Sequence, residues 1–545
     1  MRSRLLVPAL AVGLALPLFA ASGAAADGGG FHTSKPAMLA GVGGTSVHPI
    51  ISVGDVVDGY VFESIPDGIS VVRANGRGTV DIMLNHETSR VPFPATRQDA
   101  TNALLSRIRL TRNGAGVASG SYTIADTAGY QRFCSNFLAG SAEGFERPTL
   151  FTTEEARDIV RRQGDSWAPG LTVGPGAPAI NEQAGVVVAV DPATGAYRSI
   201  YGMGRHNHEN AVALGGYGHP VVLSGDDTFD APASQLYLYS AATGADVWAD
   251  RGALYAFVSD DATVNDYGDL VAGAPVTGHY IEVPRDIAVG KLGGEPRARE
   301  LVAADKGYAA PPAGIPDGPQ WVLESWSNAN NVFQFIRIED LAVDRSNPRV
   351  LYFADTGEPR AVADAATTRL RRAPSGTRGL YPNGRIFKMT FGSDPLVGAR
   401  LEVLADFDAG GYGNATEVHN PDNVETTSTA IYVTEDPGSH NAFNATRFPD
   451  ATNARVWRID LATGARQVVA EIDQSVNPAQ ATAKGAWETA GIVDVSAHYG
   501  PGAFLINVQA HGWDTKVADN PQPGFPALAS YRENGQLLLI RVANP

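Results

Sequence analysis

The sequence predicts an all-β fold, a β-propeller with loop and short helical insertions. Three observations point there. A strand–turn–strand unit with Ala-Thr-Gly at its turn recurs at residues 186–200, 236–248 and 456–470, and a looser copy occupies 384–407. Apolar alternation on both sides of a glycine turn marks a hairpin, and hairpins at blade-sized spacing with little helix between them indicate a propeller. The 60 glycines and 35 prolines are spread along the chain, which favours many turns over one unstructured block. The apolar runs are short, Val-rich and bounded by glycine, as buried strands are.

The first residues stand apart from this pattern. Arg2 and Arg4 precede an apolar run over 5–19, and small residues end in Ala24-Ala25-Ala26. This is the layout of a signal peptide, residues 1–26, and it implies a secreted, periplasmic or cell-surface protein. Arg2-Ser3-Arg4 is not a twin-arginine pair, so the general secretory route is expected. The run is too short to span a membrane and no later run is long enough. Residues 27–545 then read as one propeller domain, expected to be a monomer.

Loss of the two arginines takes the formal charge from −16 to −18. An acidic surface argues against nucleic acid and anionic lipid as partners, and it fits a soluble or calcium-binding protein. Cys134 is the only cysteine, so no intrachain disulfide is available. A lone thiol is a buried core residue or a ligand.

In chain order, 56–62, 70–72 and 80–84 read as strands, the last running into Asn85-His86-Glu87. Residues 104–111 alternate, and Asn113-Gly114 makes a turn. Residues 152–163 read as a helix, with Thr153 as its N-cap and Glu154 and Glu155 in the first turn. Two insertions, 259–277 and 358–380, read as lids or ordinary loops. The strand at 537–542 is placed to close the ring with a strand near the N-terminus.

Carboxylates recur where these strands end. They include Glu87, Glu155, Glu209, Asp226 and Asp227, Glu339 and Asp340, Asp355, Asp422, Glu435 and Asp436, and Glu488. The densest case is 199–227, where two apolar runs end in Arg205-His206-Asn207-His208-Glu209 and in Asp226-Asp227. Charge at the end of a buried strand is costly unless paired or bound to metal. In a propeller, equivalent strand ends of several blades face one mouth of the central channel, so these carboxylates would converge. Converging carboxylates repel and call for cations: calcium, or calcium with iron if a thiolate joins. Each residue alone also reads as a turn or capping group. Arg205 and Arg337 read either as anion clamps or as partners of neighbouring carboxylates. His206 and His208 share one strand face, as ligands or on a polar outer face. No Gly-x-Ser-x-Gly elbow, Walker loop or His-Glu-x-x-His motif suggests a serine hydrolase, nucleotide-triphosphate enzyme or zinc protease.

The ordered set Asn85-His86-Glu87, Cys134, Thr153-Glu154-Glu155, Gly204-Arg205…His208-Glu209, Gly225-Asp226-Asp227, Arg337…Glu339-Asp340, Asn420-Pro421-Asp422-Asn423, Glu488-Thr489-Ala490-Gly491 and Gln509-Ala510-His511-Gly512 resembles the secreted PhoX-type alkaline phosphatases. It departs from their pattern in having no tryptophan between Cys134 and the paired glutamates. The resemblance implies a six-bladed propeller with calcium and iron in the channel mouth, acting on a small phosphoester. It implies Cys134, Glu155, Glu209, Asp227, Glu339, Asp422 and Glu488 as metal ligands, Arg337 as the phosphate clamp, and Arg337 and Glu339 as catalytic residues. Two alternatives stay open on the residues alone: a calcium-only propeller hydrolase, phytase-like or lactonase-like, and a non-catalytic calcium-stabilised binding propeller.

Overall fold

The computed structural model describes residues 29–75, 78–89, 102–161, 181–228, 234–365, 369–437, 443, 451–516, 531–543 and 545. The expected signal segment lies outside the described residues. Among them, no helix is long and apolar enough to cross a membrane.

The chain folds as antiparallel meanders in a propeller-like arrangement. Pro66–Asn75, Thr79–His86, Leu104–Thr111 and Val117–Ile124 form one sheet, and Phe133–Ala139, Thr149–Glu154, Val187–Val190 and Tyr197–Ile200 form another. A nine-stranded sheet starts at His208–Ala213 and runs through Val221–Asp226, Leu236–Ser240 and Ala253–Ser259 to Val276–Glu282. That strand pairs edge to edge with Val397–Asp406, and the sheet returns through Arg385–Thr390 and Val350–Asp355 to Ile338–Val343. Pro421–Thr426, Ala430–Glu435, Arg455–Asp460 and Arg466–Ile472 carry Leu39–Gly41 on their edge. The last sheet joins Glu488–Asp494, Ala503–Lys516 and Tyr531–Arg541 to Ser46–Ser52.

The first strand of each meander is the innermost. The strands beginning at Pro66, Phe133, His208, Ile338, Pro421 and Glu488 lie side by side in that order, and the last returns to the first. Their backbones approach closely. A Cβ on Gly68 would stand 2.6 Å from the Ser135 Cα, and one on Gly491 would stand 2.4 Å from the Asp67 carbonyl oxygen. Only glycine permits that spacing.

The C-terminal strand closes the ring as its alternation predicts. Tyr531–Arg541 lies between Ala503–Lys516 and Ser46–Ser52. Leu537 and Leu539 face one apolar core, shared with Ile82 and Leu84, while Leu538 and Ile540 face another, shared with Tyr432 and Phe504. Side chains of a strand alternate between faces, so one short segment ties two sheets together.

Three sequence expectations change. The helix expected at 152–163 is absent from its described part: Thr149–Glu154 and Ile159–Arg161 are strands. Thr153 caps no helix. Its hydroxyl donates to the Glu209 carbonyl at 2.7 Å with the Ser135 carbonyl at 3.1 Å beside it, and Leu150 and Phe151 are buried in different cores. Tertiary burial overrides the local capping signal there. The 236–248 unit is only half a hairpin, because its Thr-Gly turn opens a short helix, Gly244–Trp248, with the Thr243 hydroxyl accepting from the Asp246 N–H at 3.0 Å. Residues 56–62 split into Val56–Val57 and Tyr60–Val61 around Asp58 and Gly59, both at positive φ, as a tight hairpin turn requires.

Gly491→Ala is expected to destabilise the fold by about 1–3 kcal/mol through this backbone clash. Leu538→Ala is expected to cost about 2–5 kcal/mol through an unfilled core. Denaturant unfolding checks both.

Candidate metal centre

One register recurs at the inner end of the sheets. The first residue of an inner strand pairs with the last residue of the second strand: Pro66 with His86, Phe133 with Glu154, His208 with Asp226, Ile338 with Asp355, and Pro421 with Glu435. The next residue on each inner strand is Asp67, Cys134, Glu209, Glu339 or Asp422, and Glu488 holds the corresponding place in the sixth. A register shift follows within a few residues in every case. Bulges of this kind re-aim side chains and occur beside functional sites. Just past the ends of the second strands stand Glu87, Glu155, Asp227 and Asp436, with His511 in the sixth sheet.

These groups converge. Asp67, Glu87 and Cys134 place ligand atoms within 4.8 Å of one another, and so do Cys134, Glu155 and Glu209, and Glu209, Glu339 and Asp422. Cys134 and Glu209 are each shared by two triads, so the three form one continuous cluster. Burial is nearly complete: Asp67 is 1% exposed, Glu209 1%, Glu339 4% and Cys134 5%.

The electrostatics follow from that crowding. Two like charges 4.8 Å apart repel by roughly 3 kcal/mol at an effective dielectric near 20. Burial, then Glu87, pushes Asp67 up to about 8. Burial and neighbouring carboxylates raise Glu155, Glu209, Glu339, Asp422 and Glu488 well above the ordinary range. Burial, then Asp67 and Glu209, raises the Cys134 thiol, which donates to Asp67 Oδ2 at 3.3 Å. His511 bridges Glu488 and Glu533 at 3.2 Å each; burial opposes its charge, but the two carboxylates raise it well above the usual imidazole value.

Arg337 is buried against two carboxylates. Its guanidinium meets Asp227 in a two-point contact at 2.7 and 2.8 Å and reaches Glu339 Oε1 at 3.2 Å. Asp227 therefore faces Arg337 and belongs to none of the triads. Ser135, next to Cys134, donates to Glu209 Oε1 at 2.8 Å and accepts from Asn423 Nδ2 at 3.0 Å, a link across the ring. Gln509 Nε2 donates to Asp67 Oδ2 at 3.1 Å and Glu87 Oε2 at 3.3 Å.

The donor set suits a multivalent cation. It offers oxygens with one thiol, gathered at ligand-to-ligand spacing, and Asp67 Oδ1 is buried without a hydrogen-bond partner. Cys134, Glu155, Glu209, Glu339 and Asp422 lie in the triads as the sequence groups them, and Glu488 adjoins with His511. Asp67 escapes sequence reasoning because Pro66-Asp67-Gly68 has the composition of a turn. Its signal is positional, as the second residue of an inner strand.

The paired acids divide their work. Glu154 accepts from the Gln131, Gly185 and Val186 N–H groups at 2.8, 3.1 and 3.2 Å. Asp355 accepts from Ile336, Arg337 and Gly357 at 2.9, 3.2 and 2.9 Å. Glu435 accepts from His419 and Arg455 at 2.9 Å each. These carboxylates hold the loops that carry the ring, while Glu155, next to Glu154, lies in a triad and Asp436, next to Glu435, stands near Glu339 and Glu488. Asp340 likewise turns away, accepting from Asn210 and Val424 at 2.5 and 3.1 Å. Arg205 is no clamp: it is fully buried against Glu300 at 3.0 Å. His206 and His208 are buried and stacked, with ring centroids 3.5 Å apart, and so line no outer face.

No protein-family model matches the chain, and no curated protein sequence does. Among solved structures it is similar to Pseudomonas fluorescens PhoX in complex with vanadate, a transition state analogue. The likeness covers 94% of this chain and 97% of that one, with a TM-score of 0.58 and 15% identity. The fold is PhoX-like. The NanB sialidase from Streptococcus pneumoniae overlaps far more loosely, with a TM-score of 0.36 and 6% identity over 89% of this chain and 68% of that one. The likeness to PhoX fixes the architecture; the ring of acids is read from this chain's own residues.

The raised carboxyl groups set a pH dependence. Without cations the native chain keeps protons that the unfolded chain releases, so stability falls as pH rises. The fall begins near the ordinary carboxylate range, about pH 4, and continues to about 8, where Asp67 titrates. Thermal unfolding in chelator is expected to show a falling midpoint across that window, and added divalent cation is expected to remove the fall.

Proposed function

We propose that the chain is a six-bladed propeller and a secreted, metal-dependent phosphomonoesterase that releases phosphate from small organic phosphoesters. The observation that carries this reading is the meeting of Arg337 with the acid–thiol cluster: Arg337 touches Glu339, and Glu339 shares a triad with Glu209 and Asp422. The PhoX-like fold supports it, since the neighbour of that architecture holds vanadate as a transition state analogue.

The residues divide the task as follows. Asp227 holds the Arg337 guanidinium flat and fixes its direction, leaving it preorganised toward the ring. A planar guanidinium matches a pair of phosphoryl oxygens, and its charge is worth most where water is excluded. Cations held by Cys134, Glu155, Glu209, Glu339 and Asp422, with Glu488 beside them, would supply positive charge against the charge that develops on the phosphoryl oxygens. Glu339 stands between the two, as a ligand and as the second partner of Arg337. Calcium is the cation that the oxygens favour, and the Cys134 thiol at the junction of two triads favours iron beside it. A calcium-only hydrolase is the second reading. The proton that Cys134 shares with Asp67 favours it, because a thiol binds metal as the thiolate.

Purified protein is expected to hydrolyse a chromogenic phosphomonoester, and chelation is expected to abolish that activity. Glu339→Ala should abolish it too, and Arg337→Lys should lower kcat/KM by about 10²–10³-fold. Elemental analysis separates the readings: iron with calcium supports the mixed centre, and calcium alone supports the second. Folded, metal-loaded protein inert on every phosphoester tried would refute the phosphatase reading, and inertness on lactones as well would leave a calcium-stabilised binding propeller.

A further inference from the structure

The loop-holding layer behind the ring has one exception. Both oxygens of Glu154, Asp355 and Glu435 are consumed by hydrogen bonds, and the His86 ring contacts the Ser64 carbonyl at 3.2 Å and the Ser106 hydroxyl at 2.8 Å. Asp226 occupies the same register position and is fully buried, yet its Oδ2 has no hydrogen-bond partner. Among the described residues its Oδ1 accepts from the Thr228 hydroxyl at 2.8 Å, and the Asn207 backbone N–H lies near the carboxylate.

Two further groups face this carboxylate. The helix Pro319–Ala329 presents Gln320, Glu324 and Ser327 on one face, a spacing of four and three residues. Gln320 donates to the Ala156 and Ala184 carbonyls at 2.8 and 3.0 Å, and Ser327 meets the Tyr237 hydroxyl at 2.9 Å. Glu324, between them, is 3% exposed; its Oε1 lies 3.2 Å from the Thr228 hydroxyl and its Oε2 has no partner. His206 is fully buried, stacked between His208 and Tyr237, and neither ring nitrogen has a hydrogen-bond partner. The Asn207 backbone approaches the ring without reaching hydrogen-bond geometry. His206 Nδ1 stands 3.8 Å from Asp226 Oδ1, somewhat wider than the roughly 3.3 Å between two ligands of a tetrahedral ion.

A neutral imidazole always carries one N–H, and burying it unbonded is costly. Two buried carboxylates bridged by one hydroxyl add a second penalty, since one hydroxyl hydrogen cannot serve both. A single cation removes both. We propose that Asp226, Glu324 and His206, with the Thr228 hydroxyl, form a second cation site behind the channel ring. One imidazole nitrogen with carboxylate oxygens suits a divalent ion of the zinc or manganese class rather than calcium. The three groups are gathered more loosely than the channel triads, so binding draws Glu324 inward and displaces its contact with Thr228.

The test uses the full chain and reads metal, not hydrolysis, so it is independent of the proposed activity. The cation-free protein is loaded with zinc or manganese, freed of excess ion and measured by elemental analysis. Wild type is expected to retain one equivalent more than His206→Asn or Glu324→Gln, while Glu209→Gln keeps that equivalent and loses channel metal. Equal content in wild type and both folded variants overturns the proposal. Should the variants fail to fold, crystals of zinc-loaded wild type decide the matter by anomalous scattering. A peak among Asp226, Glu324 and His206 supports the site, and a water or a void there overturns it.

Discussion

Like charge gathered out of water is the constraint on which this molecule turns. Acids and a thiol from five of the six meanders arrive at the inner end of the ring within 4.8 Å of one another in three linked triads, where two charged carboxylates repel by roughly 3 kcal/mol unless cations intervene. Such an arrangement persists only if the backbone that carries it is held independently. The second layer of acids does that holding. Glu154, Asp355 and Glu435 accept from backbone N–H groups of the loops behind the ring, fixing them without drawing on the channel-facing neighbours. The doublets Glu154-Glu155 and Glu435-Asp436 are thus divisions of labour: one acid for the loop, one for the channel.

Close packing of the inner strands reinforces the hold. Gly68 and Gly491 let neighbouring backbones approach to distances that no Cβ allows, and the bulges beside them turn the second residue of each inner strand toward the axis. Arg337 is the fixed cation of the assembly. Its guanidinium lies in a two-point contact with Asp227 and touches Glu339.

A balanced charge network outside the ring shows the contrast. Arg205, Lys291, Glu300 and Glu182 are all buried, with Lys291 at 2.5 Å from Glu300 and 3.1 Å from Glu182. Two cations meet two anions there, so nothing further is required of a ligand. The channel ring is unbalanced by design, and the pocket around Asp226 is unbalanced in a smaller way.

Alternation, glycine turns and their repetition made the all-β class and the meanders legible from sequence, because strand periodicity is local and survives in one dimension. The recurrence of acids at strand ends was legible for the same reason, while the choice of Glu155, Glu209, Glu339, Asp422 and Glu488 among them came from the resemblance. Local patterns misled where long-range burial decided the outcome. Thr153 has the capping residues of a helix after it but spends its hydroxyl on the Glu209 carbonyl of a neighbouring inner strand. Asp67 has the flanks of a turn but opens a strand. What tertiary structure alone decided was the partition of adjacent acids between channel and loop. Neighbouring residues of one strand point to opposite faces, and only the register with the next strand says which face is the channel. Asp227 went to Arg337 and Asp226 to the pocket behind it by that rule, which no single strand contains.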